Sequence, residues 1–309
     1  MKKIISVLGV SMAFMAMGCA GSTAGFGLPA RKVKASSNVI TKEVVVKGKI
    51  NSVSATSMFD VEYVQGPQRV EIYASDNVVP YIKVTLVNGE LTVGSDKKRN
   101  VNIDFDKKPC VVKVSSPSAT TFTTNGSGDI TLVGDVKGSG DITLNSYGSG
   151  DLKAGGLISQ GVVVMTGGSG DVDVMDVDSR TLMVSTKGSG DVEVKSVKSA
   201  SVSLTSLGSG DIDVIITNSQ DVKCVTNGSG DIDLKGRCGN LSLTSNGSGD
   251  IGAAKLVADH VKATSNGSGD IECNAVVSLE GAAHGSGNIE YAGKPGNLNI
   301  NSKTKVHPR

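Results

Sequence analysis

Apolar residues along most of the chain fall two apart, and the pairs return about every twenty residues. Offsets are counted from the first Gly of each recurring Gly-Ser-Gly-Asp. Offset 4 carries Ile130, Leu152, Val172, Val192, Ile212, Ile232, Ile251, Ile271 and Ile289, and offset 6 carries Leu132, Ala154, Val174, Val194, Val214, Leu234, Ala253, Cys273 and Tyr291. A second pair at offsets 14 and 16 holds Val162/Val164, Leu182/Val184, Val202/Leu204, Val222/Cys224 and Val261/Ala263, slipping by one to Leu241/Leu243 in a shorter unit. Leu157, Val177, Val197 and Leu256 add a column at offset 9. Alternation with period two points each set to one face of a strand, so each unit is expected to hold two short strands with their β-branched residues inward. Helical spacing is absent, and stretches rich in Gly, Ser, Thr, Val and Asp make poor helices.

The motif itself begins at Gly126, Gly148, Gly168, Gly188, Gly208, Gly228, Gly247 and Gly267, and returns as Gly-Ser-Gly-Asn at Gly285. A twenty-residue period means one coil per repeat, whereas a propeller blade needs about forty residues. The expected fold is all-β, a right-handed parallel β-helix of about twenty residues per coil. Gly168, Gly170, Gly188, Gly190, Gly208 and Gly210 are expected to turn tight corners by taking positive φ. Ser146, Thr186, Ser206, Thr226, Ser245 and Ser265, two residues before the next motif's first Gly (offset 18 in a twenty-residue coil), read as a hydroxyl column whose members bond one another. A further copy at Gly138 falls half a coil out of phase and is expected at the opposite corner of its coil.

Before the repeats, alternation over Val44–Val46, Val61–Val64, Val70–Tyr73, Ile82–Val87, Leu91–Val93 and Val101–Phe105 says strand without saying solenoid. Residues 38–120 are therefore either less regular coils or an antiparallel cap, and 121–309 the regular β-helix. At the start, Lys2 and Lys3 precede an apolar run, Ile4 to Met17, too short to span a bilayer. Residues 1–18 read as a signal peptide, and Ala16-Met17-Gly18-Cys19 resembles a lipobox, making Cys19 the acylated first residue of the exported chain. Residues 19–37, opening with Ala20-Gly21-Ser22-Thr23-Ala24-Gly25, then suit a flexible tether. A formal charge of +1 and 3% aromatic residues exclude a strongly basic nucleic-acid binder.

The spaced Gly-Ser-Gly-Asp-Ile/Val-x-Val/Leu units follow an N-terminal block containing Phe59-Asp60-Val61-Glu62-Tyr63-Val64-Gln65-Gly66, Val70-Glu71-Ile72-Tyr73-Ala74-Ser75-Asp76-Asn77 and Val87-Asn88-Gly89-Glu90-Leu91-Thr92-Val93. Together they resemble the auto-transporter adhesin family with a head GIN-type domain, found in bacterial envelopes. The resemblance implies that Val39–Ser118 is itself coiled, that Ile289–Pro295 is a closing coil, and that adhesion is the function. It carries no catalytic residues to transfer. Where another Gly-Ser-Gly turn would be expected, Ser302-Lys303-Thr304-Lys305 stands, and its lysines are expected to blunt the final edge.

Two outward carboxylate columns run beside the motif. Asp171, Asp191, Asp211 and Asp231 represent offset 3; Asp173, Glu193, Asp213 and Asp233 represent offset 5. Backbone amides and solvent can offset their repulsion, and Ca²⁺ held between coils is the sharper expectation, since hard cations favour several carboxylate oxygens. The Gly-Gly-x-Gly-x-Asp nonapeptide of calcium-binding β-rolls is absent. A polysaccharide-cleaving enzyme is the weaker reading: no Trp is present, and no long loop interrupts the repeats to form a cleft. His260, His284 and His307 are scattered, and Cys224 and Cys273 are expected as buried free thiols. The expectation is an exported, non-enzymatic protein, lipid-anchored in the cell envelope at the outer membrane. It would bind a protein or glycan along its flat faces, or else serve as a spacer without a ligand. Oligomeric state is not fixed.

Overall fold

The computed structural model describes residues 31–96, 101–301 and 305–309. The leader, Cys19 and Lys303 lie outside the described residues. Among those described there is no α-helix and, in consequence, no helix long and apolar enough to cross a membrane.

From Leu152 onward each coil is a single strand with a short corner: Leu152–Thr166, Val172–Thr186, Val192–Ser206, Ile212–Thr226, Ile232–Ser245, Ile251–Ser265 and Ile271–Ala283. Successive strands pair in parallel, and Val172 faces Val192, which faces Ile212 and then Ile232. The inward columns therefore superpose as the alternation requires, and the molecule is a β-solenoid.

The expected two strands per coil are one strand bent twice. Pairing skips Met175–Asp176 and again Arg180, while Val172, Val174, Val177, Leu182, Val184 and Thr186 are buried. Inward residues thus change parity between offsets 6 and 9 and again between 11 and 14, which folds each coil into three faces. The second face also holds an inward column of small side chains, Ser199, Ser219, Cys238, Ala258 and Ala275. Its serines were hidden in the sequence because a polar residue beside a corner reads as outward. Ser179 illustrates how they are satisfied: its hydroxyl donates to Thr181 O at 3.0 Å and lies 2.8 Å from Ser199 Oγ.

Nine strands form the N-terminal region: β1 (Arg31–Lys34), β2 (Val39–Glu43), β3 (Ser52–Ala55), β4 (Asp60–Gln65), β5 (Arg69–Ser75), β6 (Ile82–Val87), β7 (Glu90–Ser95), β8 (Val101–Asp104) and β9 (Cys110–Ser116). Both alternatives open in the sequence are present here. β3 and β4 continue the parallel ladder beneath Thr121–Thr124 and Ile130–Leu132, and β7 and β9 continue it one level further. Beyond them the ladder reverses, β6 joining β7 and β5 joining β9 antiparallel, with β2 outside β5. Bulky side chains fill these lower coils: Phe59, Tyr63 and Phe122 are fully buried, and the Tyr63 and Phe122 rings lie 4.7 Å apart. The Tyr63 hydroxyl donates to Ser116 O at 2.7 Å, and burial pushes its pKa up to about 12.

Arg31–Lys34, inside the stretch expected as tether 19–37, is a strand. β1 pairs in register with β8, because Val33 and Ala35 bury while Arg31, Lys32 and Lys34 point to solvent. At the other end Val306–Pro308 pairs with Ile289–Gly293, the Lys305 ammonium bonds the Gly285 carbonyl, and Arg309 pairs with Glu272.

Candidate functional site

The repeat corner is built from backbone lying on backbone. None of Gly168, Gly170, Gly188, Gly190, Gly208 and Gly210 has positive φ, contrary to the expectation from the motif. They are glycine for want of room. A Cβ on Gly168 would stand 1.9 Å from Gly148 O, and one on Gly190 would stand 2.2 Å from Gly170 O. The Ser189 and Ser209 amides donate to Gly168 O and Gly188 O one coil below, each at 2.9 Å.

The offset-18 hydroxyls do not bond one another either. Ser146, Thr186, Thr226, Ser245 and Ser265 donate to glycine carbonyls of the corner, at 3.0 Å for Ser146 to Gly170 O and 3.2 Å for Thr186 to Gly210 O. A hydroxyl pointing inward from a strand end meets the carbonyls of the turn before it reaches its neighbour in the next coil. Thr124 and Thr166 belong to this buried column as well.

Asp residues at offset 3 make a ladder of their own. Asp171 Oδ1 accepts the Asp191 amide at 2.8 Å, Asp191 Oδ1 accepts that of Asp211 at 2.8 Å, and Asp211 Oδ1 accepts that of Asp231 at 2.7 Å. The ladder starts at Asp60, which accepts the Asp129 amide at 3.0 Å, and ends where Asp270 accepts the Asn288 amide at 2.7 Å. Sequence reasoning missed Asp60 because its corner is Ser57-Met58-Phe59 and lacks both glycines.

Asp173, Glu193, Asp213 and Asp233 stand beside this ladder. Burial, and then Glu193, raises the Asp173 carboxyl above the ordinary range; burial, and then Asp233, does the same to Asp213. Burial also raises Asp231. Lys195 lies 3.6 Å from Glu193 and relieves part of the repulsion. Among the described residues no three His, Cys, Asp or Glu side chains converge as a metal cage. One oxygen of each offset-3 carboxylate is already committed to an amide.

A groove of about 960 Å³ runs along the third face, across six successive coils. Its walls are the outward side chains at offsets 13 and 15, including Asp221, Lys223, Asn240, Ser242, His260, Lys262, Ser278 and Glu280, and Leu298 closes one end. Val202, Val222, Leu241, Val261 and Leu279 turn inward beneath it, so the strand backbone is its floor. Asn240 Nδ2 donates to Asp221 Oδ1 at 2.8 Å, His260 Nδ1 lies 2.9 Å from Ser278 Oγ, and Lys262 pairs with Glu280 at 2.8 Å. The two carboxylates and two ammonium groups balance. No motif announced this site, since each coil contributes different residues to it; His260, read as scattered, is one of them.

Cys224, Cys238 and Cys273 are buried free thiols and Cys110 is half-buried. Burial pushes Cys110, Cys238 and Cys273 up to about 12 and Cys224 higher still, so none is poised as a nucleophile.

No match is found among curated proteins. Solved structures are similar to this chain. One described as a putative adhesin, from Bacteroides fragilis, is 24% identical over 87% of this chain and 94% of its own, with a TM-score of 0.38. Another, described as a putative lipid binding protein, from Parabacteroides distasonis, is 19% identical over 90% of this chain and 100% of its own, with a TM-score of 0.50. A putative adhesin from the same species is 20% identical over 90% and 100%, with a TM-score of 0.49. The family model described as "Putative auto-transporter adhesin, head GIN domain" matches residues 49–209 and 182–295. That span takes in the lower coils, the repeat corner and most of the groove, and the chain belongs to this family.

Proposed function

We propose that the chain is a non-enzymatic envelope lipoprotein, anchored through Cys19, that binds an extended protein or glycan partner along its solenoid. The groove carries the reading. It presents donors and acceptors at the coil spacing of about 4.8 Å, without net charge, over a length suited to a polymer strand more than to a compact substrate. Membership of a family described by adhesion supports it.

An array of matrix proteins and glycans, probed with wild type and with Ser242→Trp, tests the proposal. Ser242 points into the groove between Lys223 and Lys262, so an indole there fills the channel without touching the core. Saturable binding weakened about tenfold or more by Ser242→Trp is expected, with Asp213→Asn on another face leaving it unchanged. Absence of saturable binding to any probe would favour a spacer without a ligand, and binding indifferent to Ser242→Trp would remove the groove from the account.

A further inference from the structure

Charge is divided along the chain. The described residues 31–96 and 101–120 carry eleven Lys and Arg against nine Asp and Glu, whereas residues 121–296 carry twelve against twenty-one. The near-zero total hides a basic end on an acidic shaft. At that end the segment 44–50 leaves β2 and crosses to the β6–β7 hairpin. The Val44 amide donates to Val70 O at 2.9 Å, Gln68 Nε2 donates to Gly48 O at 2.8 Å, a Cβ on Gly48 would lie 3.7 Å from Leu86, and the Asn51 amide donates to Gly89 O at 2.8 Å.

The same end carries the two most exposed large apolar side chains among the described residues, Val45 at 85% and Val87 at 63%. Lys42, Lys47 and Lys49 surround Val45 in sequence, are exposed, and have no ion pair among the described residues. Arg31 and Lys32 are exposed and unpaired in the same sense. The opposite end differs, since Lys305 and Arg309 are both tied to groups of the coils beneath them.

We infer that the N-terminal end of the solenoid is a membrane-facing surface that seats on an anionic lipid bilayer. An apolar tip flanked by ammonium groups, as Val45 is, suits the interface, with Val87 on the neighbouring hairpin as a second apolar tip: the tips enter the acyl boundary and each ammonium meets a phosphate. A soluble polyanion would use the lysines but would leave two valines in water. Position agrees. Cys19 precedes Arg31 by twelve residues, a reach of at most about 40 Å, so an acyl group there would hold this end, and not the acidic coils, against the lipid. The inference takes its orientation from the anchor proposed above, but the binding itself needs no acyl chain.

Flotation of the unacylated full chain with vesicles of phosphatidylcholine, alone or mixed with phosphatidylglycerol, tests it. Partitioning should favour the mixed vesicles by about tenfold or more and fade in high salt, as screening of exposed charge requires. Joint Lys42→Glu, Lys47→Glu and Lys49→Glu should abolish the preference with the circular dichroism unchanged, and Val45→Ser should weaken binding about threefold. Any contribution from residues 1–30 is common to all these proteins and cancels. Equal partitioning onto both vesicles, retention by the triple variant, an equal loss on Lys223→Glu with Lys262→Glu in the groove, or capture by inorganic polyphosphate without vesicle binding would each overturn it. None of these outcomes bears on the groove, so the two proposals fail separately.

Discussion

Two copies of Gly-Ser-Gly-Asp with identical letters occupy different physical settings. At Gly188–Asp191 the turn lies on the turn below, a Cβ on Gly190 has a carbonyl oxygen at 2.2 Å, and Asp191 takes the next coil's amide. At Gly138–Asp141 the turn is another corner of its coil, where a Cβ on Gly140 meets nothing within 4 Å and one on Gly138 comes no nearer than 3.2 Å to any neighbour, the Ile142 side chain. Recurrence of the motif at twenty-residue steps therefore records contact between coils. What varies freely is the face beside the second corner, and the groove is there.

The largest effect that separates the copies is steric. Gly190→Ala should destabilise by about 3 kcal/mol, since the methyl can be housed only by prising two coils apart and backbone has nowhere to yield. Gly140→Ala should stay within about 0.5 kcal/mol. Urea unfolding of both variants is the measurement. Because each coil contacts only its neighbours, Gly190→Ala should also broaden the transition as the halves on either side lose their coupling. Equal losses at the two sites would mean that the corners are not different after all.

Next comes the amide ladder. Asp191→Ala leaves the Asp211 amide to water at a partly open corner and should cost about 1 kcal/mol, whereas Asp191→Asn keeps an acceptor oxygen and should cost less. Asp141, which takes no such amide among the described residues, should tolerate Ala within about 0.5 kcal/mol. A ladder that is merely decorative would show Asp191→Ala and Asp141→Ala melting together.

What the sequence revealed follows the same division. Val172, Val192 and Ile212 are legible as one column because period-two alternation has a single geometric meaning, and the family pattern reached the lower coils that alternation alone left open. Ser199 and Ser219 were not, because they satisfy their hydroxyls locally and so bury without looking apolar. The corner glycines were found for the wrong reason: a requirement for positive φ and a ban on Cβ leave the same residue behind. The Ser57-Met58-Phe59-Asp60 corner escaped because its chain bends without glycine at the one level where the coil beneath is irregular. The groove was invisible for a different cause. It is made of outward positions from six coils, no two contributing the same pair, and only superposition of the coils brings Asp221, Asn240 and His260 into one wall.

The smallest difference is electrostatic, and its sign is opposite in the two regions. Asp173, Asp213 and Asp231 on the regular coils, and Asp60 at the foot of the ladder, have carboxyls raised by burial, with a neighbouring carboxylate adding to the rise. A group that holds its proton more tightly when folded stabilises the fold where it is protonated, and that stability is lost as pH climbs from the ordinary carboxylate value through the raised one. Asp76, between the ends of β2 and β5, is held below the ordinary value by the Ser36 hydroxyl and the Asn38 amide, so its contribution is present above the ordinary range and is lost as pH falls through the lowered value. The two windows do not overlap. From neutral pH down to about pH 4 the raised carboxyls take up protons in the folded chain before the unfolded one, and the melting temperature should climb slightly; below that Asp76 gives way and the trend should reverse. Joint Asp173→Asn and Asp213→Asn should flatten the climb while leaving the acid reversal in place, and Asp76→Asn should do the converse. Differential scanning calorimetry across this range decides it: a melting temperature that falls steadily from neutral pH, alike in wild type and the double variant, would show that solvent screens the stripe completely.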